Sequence, residues 1–130
     1  MVLVDTSVWI EVFRKSTRLH LDSIVDFDEV VTCLPVVQEV LQGFSAEPAF
    51  TKARQAMRAL PIVEAPLGGD VFLHAVELYR AARRTGLTVR SSADCVIAAC
   101  AIRNHLEVLH LDRDFDVLAQ VSPLRARNVA

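Results

Sequence analysis

Four short, mostly apolar runs set the plan of this chain: Val2–Val4, Val30–Cys33, Ile62–Val63 and residues 106–111 ("LEVLHL"). Each is too short for a stable helix, and most are rich in β-branched residues that favour strands. The stretches between them keep helical spacing. Thr6 or Ser7 can cap a helix carrying Val8, Trp9, Val12 and Phe13 on one face, and Leu21, Ile24 and Val25 suggest another. Pro35 suits the first turn of a helix reaching about Phe44, with Gly43 near its end. Ala49, Phe50, Ala53, Ala56, Met57 and Leu60 carry a further helix to Pro61. Val71, Phe72, Ala75, Val76, Tyr79 and Ala82 predict a long one closed by Gly86. Ser91 or Ser92 opens "DCVIAACAIRNH", and "DRDFDVLAQV" reads as a turn and short helix. The tail, "SPLRARNVA", carries no pattern that assigns it. Short strands alternating with helices call for βαβ units, hence an α/β fold whose central parallel sheet has helices on both faces.

The 130 residues suffice for one ordinary domain, expected over 1–130 without repeat or linker. At 52% hydrophobic residues the chain is rich for a protein in water, which suits a buried parallel sheet or a partner interface. The longest unbroken apolar run, residues 95–102, is far short of the roughly 18 residues of a membrane span. Asp5 interrupts the N-terminal apolar run too early for a secretory signal. Cys33, Cys95 and Cys100 form no C-x-x-C pair and read as small core residues in a reducing cytoplasm. A net charge of −2 is no global nucleic-acid footprint. The cations nevertheless cluster at Arg14, Lys15 and Arg18, at Arg80, Arg83, Arg84 and Arg90, and at Arg125 and Arg127. Each cluster fits either a solvated helix face or a basic rim around an acidic centre.

Such a centre is legible in the acids. Functional groups of open parallel sheets gather beyond the carboxyl ends of the strands. Asp5 follows the first strand, Glu39 lies early in the helix after the second, Asp94 sits in the first turn of the Ala- and Cys-rich helix, and Asp112 follows "LEVLHL". Taken singly, Asp5 suits a turn, Asp112 a helix cap, and Asp94 a weak S-x-x-D capping box with Ser91. Glu39 falls just outside the apolar arc of its helix, where a salt bridge and a cleft wall are equally accommodated. Asp94 is the least easily dismissed. Its helix is apolar almost all round, so the carboxylate is buried and needs a partner or a cation. Converging carboxylates raise one another's pKa, and a divalent ion removes that conflict. Oxygen donors without paired His or Cys point to Mg²⁺ or Mn²⁺, and so to metal-assisted phosphodiester cleavage. The four histidines have no metal-ligand spacing, and His110 reads as a packed residue of the last strand. Phosphate-loop, dinucleotide and serine-hydrolase motifs are absent.

In this order, "VDTSVWIEV", "PVVQEVLQG", "SSADCVIAACAIRNH" and "LHLDRDFDVLA" resemble the PIN-domain ribonucleases, more narrowly the VapC toxins of bacterial toxin–antitoxin pairs. The resemblance spans nearly the whole chain. It implies a three-layer α/β/α sandwich, an acidic Mg²⁺ or Mn²⁺ site, endonucleolytic RNA cleavage, homodimerisation and neutralisation by a VapB-type antitoxin. The implied catalytic set is Asp5, Glu39, Asp94 and Asp112, with Asp5, Asp94 and Asp112 toward the metal. Thr6 would orient Asp5, and Asp114 matches a further acid whose role varies. Arg14, Lys15 and Arg90 are candidates for steering RNA. Three other readings compete. A covalent-aspartate phosphatase needs a second Asp where this chain has Ser7, and a receiver domain needs a phosphoacceptor Asp where "LPIVEAPLGG" offers only Glu64. A non-cleaving RNA- or protein-binding module would have no need of all four acids.

Overall fold

The computed structural model describes residues 1–14 and 19–130. Strands β1 (Val2–Val4), β2 (Val30–Cys33), β3 (Ile62–Val63), β4 (Glu107–His110) and β5 (Arg125–Asn128) form one sheet in the order β3-β2-β1-β4-β5. All its pairs are parallel, with Leu3 opposite both Val31 and Val108. The first four strands lie where the apolar runs predict them. β1 and β2 are buried throughout, as a sheet covered on both faces requires.

Among the described residues, six α-helices cover the sheet: α1 (Thr6–Val12), α2 (Leu34–Gln42), α3 (Glu47–Arg58), α4 (Gly69–Arg84), α5 (Ser92–Arg103) and α6 (Arg113–Gln120). The chain first steps outward from β1 to β2 and β3, then crosses back to β4 and β5. Right-handed crossovers therefore place α1 to α3 on one face and α4 to α6 on the other. The contacts follow this grouping, since α1 meets α2 and α2 meets α3, while α4, α5 and α6 meet one another, and α2 also touches α5. This is the expected three-layer α/β/α architecture. The strand order reverses between β1 and β4, so a crevice opens there at the carboxyl edge of the sheet.

α5 is buried almost all round, with Ile97, Ala98, Ala99, Cys100 and Ala101 inaccessible. Its small side chains let α4 pack closely against it. Gly86 closes α4 as expected: at φ +80° it supports bonds from its own N–H to Arg83 and from Leu87 N–H to Ala82. The three cysteines are buried free thiols. Among the described residues no helix is long and apolar enough to cross a membrane.

Three local expectations are corrected. The helix around Leu21, Ile24 and Val25 is a single 3₁₀ turn, Leu21–Ser23, because Asp26 caps a second turn at Phe27–Glu29 and β2 begins immediately after it. Asp5, not Thr6 or Ser7, caps α1, its carboxylate accepting from Ser7 N–H. The unassigned tail contributes β5, which pairs with β4 along the whole strand. Its "RARN" sequence lacks apolar alternation because an edge strand can leave most side chains in water. Arg127 pairs with Glu107 across the ladder at 3.3 Å, an exposed contact.

Candidate active site

Asp5 leaves β1 at the β1/β4 crevice with its backbone N–H bonded to Leu109 O at 2.9 Å, which continues the ladder to β4. Its side chain is 3% exposed. Ser7 holds Oδ2 twice, through its backbone N–H at 3.0 Å and its hydroxyl at 2.5 Å, while the same hydroxyl accepts from Leu111 N–H at 3.0 Å. Thr6 does not orient Asp5 with its hydroxyl, as expected from the resemblance. That hydroxyl reaches across to α2 and donates to Glu39 Oε1 at 3.0 Å. The two adjacent hydroxyls therefore serve different acids, because consecutive residues at a helix start point in different directions. Ser7 was missed by sequence reasoning, although its place two residues beyond a capping Asp was a signal.

On the other side of the crevice the acids interlock. Asp112 caps α6, its Oδ1 accepting from Asp114 N–H at 2.9 Å. Asp114, fully buried, turns back toward the start of α5. Its Oδ2 accepts from the N–H groups of Arg90 and Ser91 at 3.0 and 3.1 Å. Ser91 caps α5 with no side-chain bond of its own, so Asp114 clamps the segment that delivers Asp94. The Arg90 guanidinium lies 3.6 Å from both Asp112 Oδ1 and Asp114 Oδ1. Asp116 is half exposed and faces His110, away from this cluster.

Oxygen atoms of Asp94, Asp112 and Asp114 all lie within 4.8 Å of one another. Asp114, expected only as an auxiliary acid, thus joins the tightest group. Asp5 stands beside it, close enough to act on Asp94 electrostatically. Burial, then the charges of Asp5 and Asp112, then Asp114, push the Asp94 carboxyl up to about 9. Asp5 is raised chiefly by burial, against the lowering effect of its Ser7 bonds. Glu39 is raised by partial burial and by Asp5 and Asp112, with the Thr6 bond opposing.

Asp5 Oδ1, Asp94 Oδ2 and Asp114 Oδ1 are buried oxygens without a hydrogen-bond partner. Such orphans are costly, and three from separate segments beside one crevice are what a hard divalent cation would satisfy. The donor set is all oxygen, the kind that suits a hard divalent cation. Of the cations read as RNA contacts, Arg90 adjoins the acids. Arg14 is exposed and pairs with Glu11 at 3.3 Å, and Lys15 lies outside the described residues.

Fold and site together define an α/β protein with a carboxylate centre of the kind that holds a divalent cation. The model of the PIN domain family matches residues 2–121. Ribonuclease VapC11 of Mycobacterium tuberculosis is 37% identical, with 97% of each chain covered. The chain belongs to the PIN-domain family, among its VapC ribonucleases. Two solved structures share its fold at lower identity. FitAcB from Neisseria gonorrhoeae superposes with a TM-score of 0.77 at 18% identity, covering 98% of this chain and 97% of that one. VapBC2 from Rickettsia felis, bound to a fragment of promoter DNA, gives 0.77 at 13% identity over the whole of both chains.

Proposed function

We propose that this chain, acting as one domain over residues 1–130, is the toxin of a toxin–antitoxin pair and cleaves RNA phosphodiester bonds at its acidic centre. The observation that carries the reading is the set of buried carboxylate oxygens without a hydrogen bond on Asp5, Asp94 and Asp114 where the strand order reverses. Asp5, Asp94 and Asp112, with Asp114, would hold Mg²⁺ or Mn²⁺. The bound cation would polarise the scissile phosphate and offset its developing charge. Glu39, half-buried and held by Thr6, has its carboxyl raised by burial, Asp5 and Asp112, and is placed to orient the attacking water and take its proton. Ser7 commits its hydroxyl to Asp5, which leaves no acid/base group for a covalent-aspartate phosphatase.

The partner reading follows from the relatives, several of which are toxin–antitoxin complexes. A VapB-type antitoxin and a second copy of the chain are the expected partners, in a cytoplasmic setting consistent with three free thiols. A groove of about 820 Å³ between α2, α4 and the start of α5 offers Leu34, Phe72, Val76 and Tyr79 to an apolar segment and ends at Arg90, beside the acids. An antitoxin arginine entering there would satisfy the same carboxylates that the cation needs.

Purified protein should cut structured RNA with Mg²⁺ or Mn²⁺ and stop in excess chelator. Sequencing of RNA ends with and without added metal is the test. Cutting that persists in chelator overturns the metal reading, and binding without any cutting favours the non-cleaving module. Arg90→Ala should weaken RNA binding similarly for different sequences and reduce the slope of log affinity against log salt by about 1. An unchanged slope would remove Arg90 from the RNA path.

A further inference from the structure

His110 ends β4 with its imidazole fully buried against Phe115, ring centroids 5.4 Å apart. Packing alone does not require an imidazole there. Its Nδ1 accepts the backbone N–H of Asp112 at 3.2 Å, so Nδ1 is bare and the ring proton sits on Nε2. Nε2 lies 3.2 Å from Asp116 Oδ1, off the hydrogen-bond axis. The ring thus spans the β4–α6 connection from inside.

We propose that His110 is a positioning residue for the acidic centre, setting Asp112 and, through it, Asp114 and Asp94. A continuous run of bonds supports this. Asp112 N–H is held by the ring, Asp112 Oδ1 holds Asp114 N–H, and Asp114 Oδ2 holds the N–H groups of Arg90 and Ser91 at the start of α5. Asp94 lies in the first turn of that helix. An apolar residue at 110 could fill the space, but Asp112 N–H would lose its acceptor at the first link. Asp116 stands at the far side of the ring without a hydrogen bond to it, so Asp116→Asn leaves the run of bonds intact. The proposal rests on the metal reading above only for its functional consequence.

The test uses the full chain and four variants. His110→Asn places an amide oxygen near the Nδ1 position, His110→Gln places an amide near Nε2, and His110→Leu removes both groups. Long-range ¹H–¹⁵N spectra of the wild type should show Nδ1 unprotonated and Nε2 protonated. Mn²⁺ binding, followed by electron paramagnetic resonance, should weaken by about 10- to 100-fold in His110→Leu and His110→Gln, the range for groups that orient metal ligands. It should recover substantially in His110→Asn and stay near wild type in Asp116→Asn. If the wild type binds no Mn²⁺, the metal reading fails on its own account. Hydrogen exchange of the Asp112 amide then decides the positioning role, expected fast in His110→Leu and slow again in His110→Asn. If His110→Leu does not fold, the comparison of Asn with Gln carries the same decision. A protonated Nδ1, or Mn²⁺ affinity and Asp112 exchange that ignore all three His110 variants, overturns the proposal.

Discussion

Asp94→Asn should abolish cleavage while making the metal-free protein more stable. Loss of one charged oxygen donor should weaken the cation's hold and its stabilisation of the transition state. That stabilisation contributes several kcal/mol, so a fall of about a thousand-fold is expected. The stability gain has a separate origin. Burial and three neighbouring acids raise the folded-state pKa of Asp94 from 3.8 to about 9. For an acid raised on folding, the folded state binds more protons than the unfolded one, and stability falls as pH rises. The metal-free wild type should therefore lose stability progressively from about pH 4 to about pH 9 and level off above. An asparagine has no such proton to lose. At pH 7 Asp94→Asn should be more stable in chelator by up to about 4 kcal/mol, with a flatter pH profile. Added Mg²⁺ or Mn²⁺ should reverse the order, because only the wild type gains from tight binding of the ion. Melting in chelator and in metal across this pH range, with cleavage rates at several Mg²⁺ concentrations, checks each part. A variant that is both active and less stable in chelator would refute the assignment.

Asp114→Ala should be the most destabilising change among the acids after β4. It leaves two backbone N–H groups, of Arg90 and Ser91, without their acceptor. Each unpaired group costs about 1–3 kcal/mol when water cannot reach it freely, so a loss of about 2–4 kcal/mol is expected. Relief of repulsion with Asp94 offsets part of this cost. Asp114→Asn separates the two effects, since its amide oxygen can still accept both bonds while the charge is gone. It should fold as well as the wild type and cleave at an intermediate rate. Asp112→Asn should cleave most slowly of the three Asn variants, because Asp112 belongs to the cluster and also caps the turn that carries Asp114. Asp116→Asn should be nearly silent, as its side chain is half exposed and points to His110. Urea unfolding and cleavage rates of the four proteins test the order. If Asp114→Ala were as stable as Asp114→Asn, the clamp would not be what holds the start of α5, and if Asp116→Asn were the most impaired, the placing of these acids relative to the end of β4 would be wrong.

Much of this molecule is legible before any coordinate is known. The β-branched runs at Val2–Val4, Val30–Cys33 and Ile62–Val63 give strand limits that match the observed ones. A strand buried on both faces has little choice but an unbroken apolar run. The all-round apolar pattern of α5 likewise announces its burial, and Gly86 its helix end, because each is a local response to a local constraint. β5 escapes notice for the converse reason. Its ladder to β4 is made by backbone groups, which every sequence possesses, while Arg125 and Asn128 face water.

Carboxylates standing where strands end and where a buried helix begins follow from position along the chain alone. Which of them meet follows from packing. The reversal of strand order between β1 and β4 is a property of the whole crossover pattern, and it sets Asp5 across a crevice from Asp112. The division of labour between Thr6 and Ser7 depends on α2 lying beside α1, which brings Glu39 within 3.0 Å of a residue 33 positions earlier. The placing of Asp114 in the cluster depends on two N–H groups at residues 90 and 91, more than 20 positions away. Such bonds have ranges of about 3 Å in space but no fixed distance in sequence, so packing alone selects them.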